Sequence, residues 1–410
     1  MQYPERATVD REENALLNLL KKKRIPSNVE EFLSQQETNF TRNVFKLAPP
    51  ARIANENDAE QIVKVNNNVY KGHYPYRDLL DVEYVREFAS DANKGIIGVY
   101  DTIDSTREVG GFLMLSVNRD LRKGTFRGLM VDPRFRNKIH VKDRGFETVY
   151  EAYSKYYQDV ELWFGETRTA HILGQKWMEE CGSRPCAFLP NKDIFFGDGK
   201  RESDVLEIVF NQKALYQYRN AHPRLLPHFK SLYNHIAYYY DLPRVDFTTS
   251  NFSVSSTFLR EAQQIADSCK LGKKQGKYGT YTLIIRTPHH SRLEFLVNES
   301  ICTAEQAFLT TTNTLELGAM LVYLKSMMEH QHLDYFEIYI PAINVEQQQL
   351  FLDLGFSCFG YAPAWQREKN LLHDCLLFGL FRTPIDWNNT YLSDFSSALV
   401  GEIKPFLRVI

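Results

Sequence analysis

The 410-residue sequence has no apolar stretch near the roughly 18 residues that span a bilayer. Its N-terminus, MQYPERATVDREEN, also lacks the charged-then-apolar plan of a signal peptide. A cytoplasmic protein with no membrane partner is therefore expected. Charge of one sign is equally lacking: Lys plus Arg total 49 and Asp plus Glu 51, a formal net charge of −2. No global basic field points to nucleic acid, and only a local basic groove stays open. Cysteine is sparse and scattered, with only Cys181 and Cys186 close together, so reduced thiols are expected. Neither those cysteines nor the pairs His289/His290 and His330/His332 have the spacing of a metal site, and no metal is expected. G-x-S-x-G, Walker and G-x-G-x-x-G motifs do not occur, which argues against a nucleophile elbow and a dinucleotide fold. The Gly- and Lys-rich segment 272–279 precedes a strand pattern and reads as a flexible hairpin approach.

What remains is an ordinary globular composition, 43% hydrophobic and 24% charged, in a chain long enough for two or three domains. Charge-rich helical patterns fill 1–45, with the basic run Lys21, Lys22, Lys23 and Arg24 reading as a solvated helix end. From residue 51 the pattern is strand, two helices, a three-strand meander (GIIGVYD, VGGFLMLSVN, GTFRGLMVDP), a helix over 145–158, and the strand VELWFGE. The helix TAHILGQKWMEEC and the strands RPCAFLP and DVLEIVF follow. Residues 213–245, with Pro223, Pro227 and Pro243 around FKSLYNHIAYYY, read as an aromatic helical connector. The pattern then returns: a helix STFLREAQQIADSC, strands TYTLIIRT and RLEFLVNE, a long helix over 304–329, the strand DYFEIYIPA, a helix from Asn344 and two final strands. The expected fold class is α/β (mixed α+β), as two units at 46–212 and 246–410, each a mixed central sheet flanked by helices.

Two motif fragments give this repeat a family likeness. Val131-Asp-Pro-Arg134-Phe-Arg136-Asn137-Lys138 leaves the third meander strand, and Asn344 to Phe356 runs as a helix closed by Gly355-Phe356 before Gly360-Tyr-Ala-Pro363. These segments resemble the GNAT superfamily of acyl-CoA-dependent N-acyltransferases, in a tandem arrangement with degenerate motifs. The resemblance implies direct aminolysis in the first unit, with acetyl-CoA or another acyl-CoA as donor and a small-molecule or peptide amine as acceptor. It also implies that the backbone of Leu129, Met130 and Val131 faces the donor. Arg134, Arg136, Asn137, Lys138, Arg144 and Gly145 would then lie at its phosphates, with Arg144-Gly145 opening the helix.

The family's usual glycines after the arginine are replaced here by Ile139 and Val141, and its usual acid tyrosine by Met178 and Phe351. Tyr150 and Tyr153 are unplaced alternatives for that acid. The second unit has no phosphate loop where 297–303 is read as passing from strand to helix, so a structural or substrate-shaping role is expected of it.

Catalytic candidates are Glu166, at the end of an apolar strand and so placed for a general base, and His171, placed to relay a proton. Tyr74 and Tyr76, either side of a rigid Pro75, suit a substrate lip. The other reading of Glu166 is a carboxylate stabilised by a helix N-terminus, and of His171 a surface or core residue. A carrier protein or an aminoacyl-tRNA as donor, and a non-catalytic binding or scaffold protein, are the alternatives to acyl-CoA transfer.

Overall fold

The computed structural model describes residues 25–41, 51–102, 108–136, 138–139, 141–220, 222–330 and 333–410. The Lys21–Arg24 run and Asn137 lie outside the described residues. The strands are β1 Arg52–Ile53, β2 Gly95–Asp101, β3 Val109–Asn118, β4 Lys123–Val131, β5 Leu162–Arg168, β6 Arg184–Asp193 and β7 Glu202–Phe210, followed by β8 Lys270–Gln275, β9 Thr280–Arg286, β10 Arg292–Asn298, β11 Thr303–Thr310, β12 Tyr335–Pro341, β13 Ser357–Glu368 and β14 Leu371–Phe381. The helices are α1 Val29–Thr41, α2 Ala59–Tyr70, α3 Val82–Ser90, α4 Val141–Tyr156, α5 Leu173–Glu180, α6 Lys230–Tyr240, α7 Ser256–Asp267, α8 Thr314–His330, α9 Val345–Asp353 and α10 Asp394–Ile403.

The fourteen strands of the described residues form one mixed sheet in the order β1-β2-β3-β4-β5-β7-β6-β13-β14-β12-β11-β10-β9-β8. The order reads the same from both ends. Each half is antiparallel except for one parallel pair, β4 with β5 and β11 with β12. The halves meet where β6 pairs with β13 at Ala187 and Gly360. Only glycine fits at 360, because a Cβ there would stand 2.3 Å from the Cys186 carbonyl oxygen.

Helix α2 begins where Asn55 caps the preceding turn, its side chain accepting from the Asn57 N–H. It buries Ile62, Val63 and Val65 in one core with Val85 and Phe88 of α3 and Val99, Phe112 and Met130 of the sheet. A second core joins α4, α5 and α1, with Phe32 edge-on to Phe146 and Tyr153 at 5.9 and 5.4 Å. The aromatic connector forms α6 and is stitched to the sheet by the Tyr240 hydroxyl, which donates to the Ile208 carbonyl at 2.9 Å.

Three expectations change. Residues 304–329 are not one helix: 303–310 pairs with β10 as a strand, and the threonine-rich run 310–314 is the turn before α8, where Asn313 Oδ1 accepts the Glu316 N–H at 2.9 Å. Short alternating apolar residues such as Ala304 and Phe308 fit both periods, and pairing decided between them. Of the segment 272–279, residues 272–275 belong to the edge strand β8, whose lysines suit an exposed edge, and 276–279 form the turn into β9. Helix α4 starts at Val141, so Arg144 and Gly145, its fourth and fifth residues, do not open it, and both are buried.

Candidate active site between the parting strands

Strands β4 and β5 are hydrogen-bonded only from Lys123↔Leu162 to Thr125↔Phe164. Beyond that point β4 carries one extra residue against β3, between the pairs Met114↔Arg127 and Phe112↔Met130. Gly128 lies in this bulge at φ +66°, a left-handed conformation that glycine adopts without strain. The bulge bends β4 away from β5 and opens a cavity of about 410 Å³. Gly128, Leu129, Gly165, Thr167, Gly174 and Met178 line one side of it. Tyr70, Tyr74, Tyr76, Asp193 and Phe195 line another, and Leu296 and Glu305 of the second half complete it.

Glu166 lines the cavity near the end of β5, where its carboxylate accepts from Lys192 Nζ at 2.7 Å. Lys192 is fully buried and also reaches Glu305 at 2.8 Å and Glu337 at 3.3 Å. The three carboxylates have oxygens within 4.8 Å of one another, close enough to hold a metal ion, and Lys192 supplies the cation among them. Burial pushes Glu166 above the usual carboxylate range, with Lys192 opposing and Glu305 adding to the rise. Burial likewise carries Glu337 to about 8 and Asp193 to about 7, against the pull of Lys192. Lys192 itself is held well above its ordinary value, because its three carboxylates outweigh the burial that would lower it.

One part of the lining is aromatic. Tyr70 and Tyr74 have ring centroids 4.8 Å apart, and Tyr74 and Tyr76 5.7 Å. The Tyr76 hydroxyl donates to Asp193 at 3.1 Å. Arg168 stands over the Phe195 ring at 4.1 Å while paired with Glu202 at 2.8 Å. Nothing in the residue types around 191–196 marked Asp193 and Phe195 in advance. Tyr70 ends α2 at the start of the aromatic segment that carries Tyr74 and Tyr76, and Gly128 left a readable signal, a glycine inside a strand pattern.

His171 lines the mouth but stands exposed in the turn before α5, not on a helix. Desolvation by the surrounding chain, then Arg168 and Arg136, hold its ring below the ordinary value. Leu129 lines the cavity; Met130 is buried in the core and Val131 ends the strand.

The cations of the 134–144 segment do not act together. Arg134 is engaged with Asp132 and Glu108, each at 2.7 Å. Arg144 is 1% exposed and donates to the Asp101 carbonyl at 2.8 Å, turned into the protein rather than toward the cavity. Gly145 serves packing: a Cβ there would meet the Trp177 ring at 2.7 Å. Arg136 and Lys138 are exposed. Tyr153 is buried with its hydroxyl on the Cys181 carbonyl, and Tyr150 faces Glu37 of α1, so neither stands in the cavity.

In the second half the corresponding parting of β11 from β12 is bridged by a side chain, since Gln306 Oε1 accepts the Tyr339 N–H at 2.5 Å. Phe351 is buried and stacked on Phe378 at 4.7 Å. The second half therefore reaches the cavity through Leu296 and Glu305.

No family model matches the chain, and no curated protein does. Solved structures similar to it include a chimera of spermidine N-acetyltransferase SpeG from Vibrio cholerae and hSSAT, at 14% identity and TM-score 0.32, spanning 40% of this chain and 98% of that one. The ribosomal-protein-alanine N-acetyltransferase from Brucella melitensis is similar at 14% identity and TM-score 0.33, spanning 40% of this chain and all of that one.

Proposed function

We propose that the chain is a tandem GNAT-like protein whose first unit, 46–212, is an N-acyltransferase using acetyl-CoA or another acyl-CoA, and whose second unit, 246–410, shapes the acceptor side. The observation that carries this reading is the parting of β4 from β5 at a glycine bulge, with a carboxylate of raised proton affinity facing the resulting cavity. Backbone N–H groups of 129–131 would receive the thioester carbonyl, and the exposed Arg136 and Lys138 would meet the donor phosphates as point charges. Glu166 takes a proton from the acceptor ammonium, and the neutral nitrogen attacks the thioester carbon. The C–S bond then breaks, the acyl group stays on nitrogen, and the second proton of that nitrogen passes through solvent to the departing thiolate. His171, at the mouth and held neutral, relays the proton from Glu166 outward.

Titration calorimetry with acetyl-CoA and longer acyl-CoAs tests the donor, with no heat and no thermal shift for any of them counting against the reading. Glu166→Gln should cut acyl transfer roughly 100-fold with donor affinity intact, and full activity would remove Glu166 from the mechanism. A second reading, a carrier-protein or aminoacyl-tRNA donor, draws support from Arg134 and Arg144 being committed elsewhere. It requires transfer from such a donor in the absence of CoA heat.

A further inference from the structure

Five carboxyl groups crowd the inner wall of the cavity and the layer behind it: Glu166, Asp193, Asp204, Glu305 and Glu337. Lys192 is the cation set among three of them. The nearby Arg168 and Arg201 are paired with Glu202 and Asp334, and Arg127 with Asp78. The wall thus carries more acid than base.

Its most telling member is Asp193. It is 2% exposed and lines the cavity; Oδ2 accepts from Tyr76, while Oδ1 is buried with no hydrogen-bond partner among the described residues. Both carboxyl oxygens of the neighbouring Asp204 are also without a hydrogen-bond partner among the described residues. Buried acceptors left empty are costly unless something fills them. A cationic group of the ligand would do so, donating to Asp193 Oδ1 while the outward-facing Glu305 shares its charge. The aromatic faces of Tyr70, Tyr74 and Tyr76 beside these acids suit the alkyl part and the positive end of such a ligand.

We infer that the acceptor is a small amine bearing a second cationic group a short chain away from the reacting nitrogen, with Asp193 and Glu305 holding that second charge beside Glu166. The inference rests on the acyltransferase reading for the fate of the first nitrogen only; the charge recognition stands without it. Glu305 comes from β11, so the site is complete only when both halves are present.

The probes are 1,4-diaminobutane and 1-aminobutane, titrated into the full chain with and without acetyl-CoA. The diamine should bind at least 10-fold tighter than the monoamine, and Glu305→Gln and Asp193→Asn should each collapse that ratio toward one while acetyl-CoA affinity holds; Asp193→Asn should also keep the melting temperature, whereas Glu305→Gln, which removes a partner of Lys192, should lower it. Equal affinities in the parent protein, or a ratio untouched by both variants, would overturn the inference. So would Mg²⁺ alone giving heat that Glu305→Gln abolishes, since the acids would then be a metal site. Failure of acetyl-CoA to bind, with the diamine preference intact, would remove the acyltransferase reading and leave the diamine site standing.

Discussion

Replacing Lys192 with Met removes the cation that Glu166, Glu305 and Glu337 share at 2.7, 2.8 and 3.3 Å. With Glu337 carried to about 8 and so mostly protonated at neutral pH, the working cluster is one positive and two negative charges. At an effective dielectric of about 20, each Lys–Glu contact is worth about 6 kcal/mol, and two carboxylates near 5 Å repel by about 3 kcal/mol. The attraction therefore exceeds the repulsion by about 9 kcal/mol, against several kcal/mol for desolvating the ammonium. Loss of one partner from a buried cluster settles at about 3–5 kcal/mol once the stranded acids take up protons. For 410 residues the unfolding entropy is about 0.9 kcal/mol/K, so the melting temperature should fall by about 4–6 °C at pH 8, read by calorimetry. The sign with pH follows from the acids. Without Lys192 the folded-state proton affinities of Glu166 and Glu337 rise further above the unfolded values, so the variant is penalised most at pH 8. It regains stability as pH falls through those raised values toward about 5. An unchanged melting temperature at pH 8, or a deficit that widens on acidification, would refute the charge accounting.

Lys123 lies over the Trp365 ring at 3.4 Å, and burial pushes its ammonium down to about 7 even though the ring face favours the charged form. Because its folded value lies below the unfolded one, it destabilises the fold at pH below about 7, and that penalty fades as pH rises toward 10. Lys123→Met should thus raise stability, more at pH 6 than at pH 9.5 in denaturant melts, and a pH-independent effect would contradict this. Gly128→Ala forces a left-handed residue to carry a Cβ 3.1 Å from the Met130 methyl, and should cost about 1 kcal/mol while weakening acetyl-CoA binding several-fold. Donor affinity unchanged in calorimetry would separate the bulge from the donor path. Gly145→Ala drives a methyl against Trp177 and should destabilise by about 1–3 kcal/mol, since the ring is wedged beside Phe146 and Phe126. A neutral result in chemical denaturation would show that α5 can shift.

Element order was readable where patterns were long or well punctuated. The meander 95–131, with its apolar strands between polar turns, and the helix capped by Asn344 could be placed because each local preference agreed with its pairing. The strand at 303–310 was lost to the helix beside it, because its identity depends on β10 rather than on its own residues. At the site, Glu166 was visible as a charged end to an apolar strand. Lys192 and Asp193 were not, since both sit in a segment read as ordinary strand, and the reason they matter is contributed by Glu305 and Glu337 more than 100 residues away. The basic segment misled for the opposite reason. Proximity in sequence suggested Arg134, Arg136, Lys138 and Arg144 converging on phosphates, whereas Arg134 turns to acids beside it and Arg144 to a core carbonyl.

The seam between β6 and β13 has a kinetic consequence. Ala187 and Gly360 are 360 − 187 = 173 positions apart, and each edge places a large side chain beneath the other half: Lys192 from β6 reaches β11 and β12, while Trp365 from β13 packs on Phe164 of β5 at 5.2 Å. Neighbours so remote along the chain meet only after long loop closure, so the seam is expected to zip last, after local hairpins in either half have formed. Until then each half exposes an unpaired strand edge, and a chain caught at that stage can satisfy its edge with the complementary strand of a second molecule. The sheet's reversible strand order, harmless once closed, makes such an exchanged dimer the characteristic misassembly of this protein at high concentration.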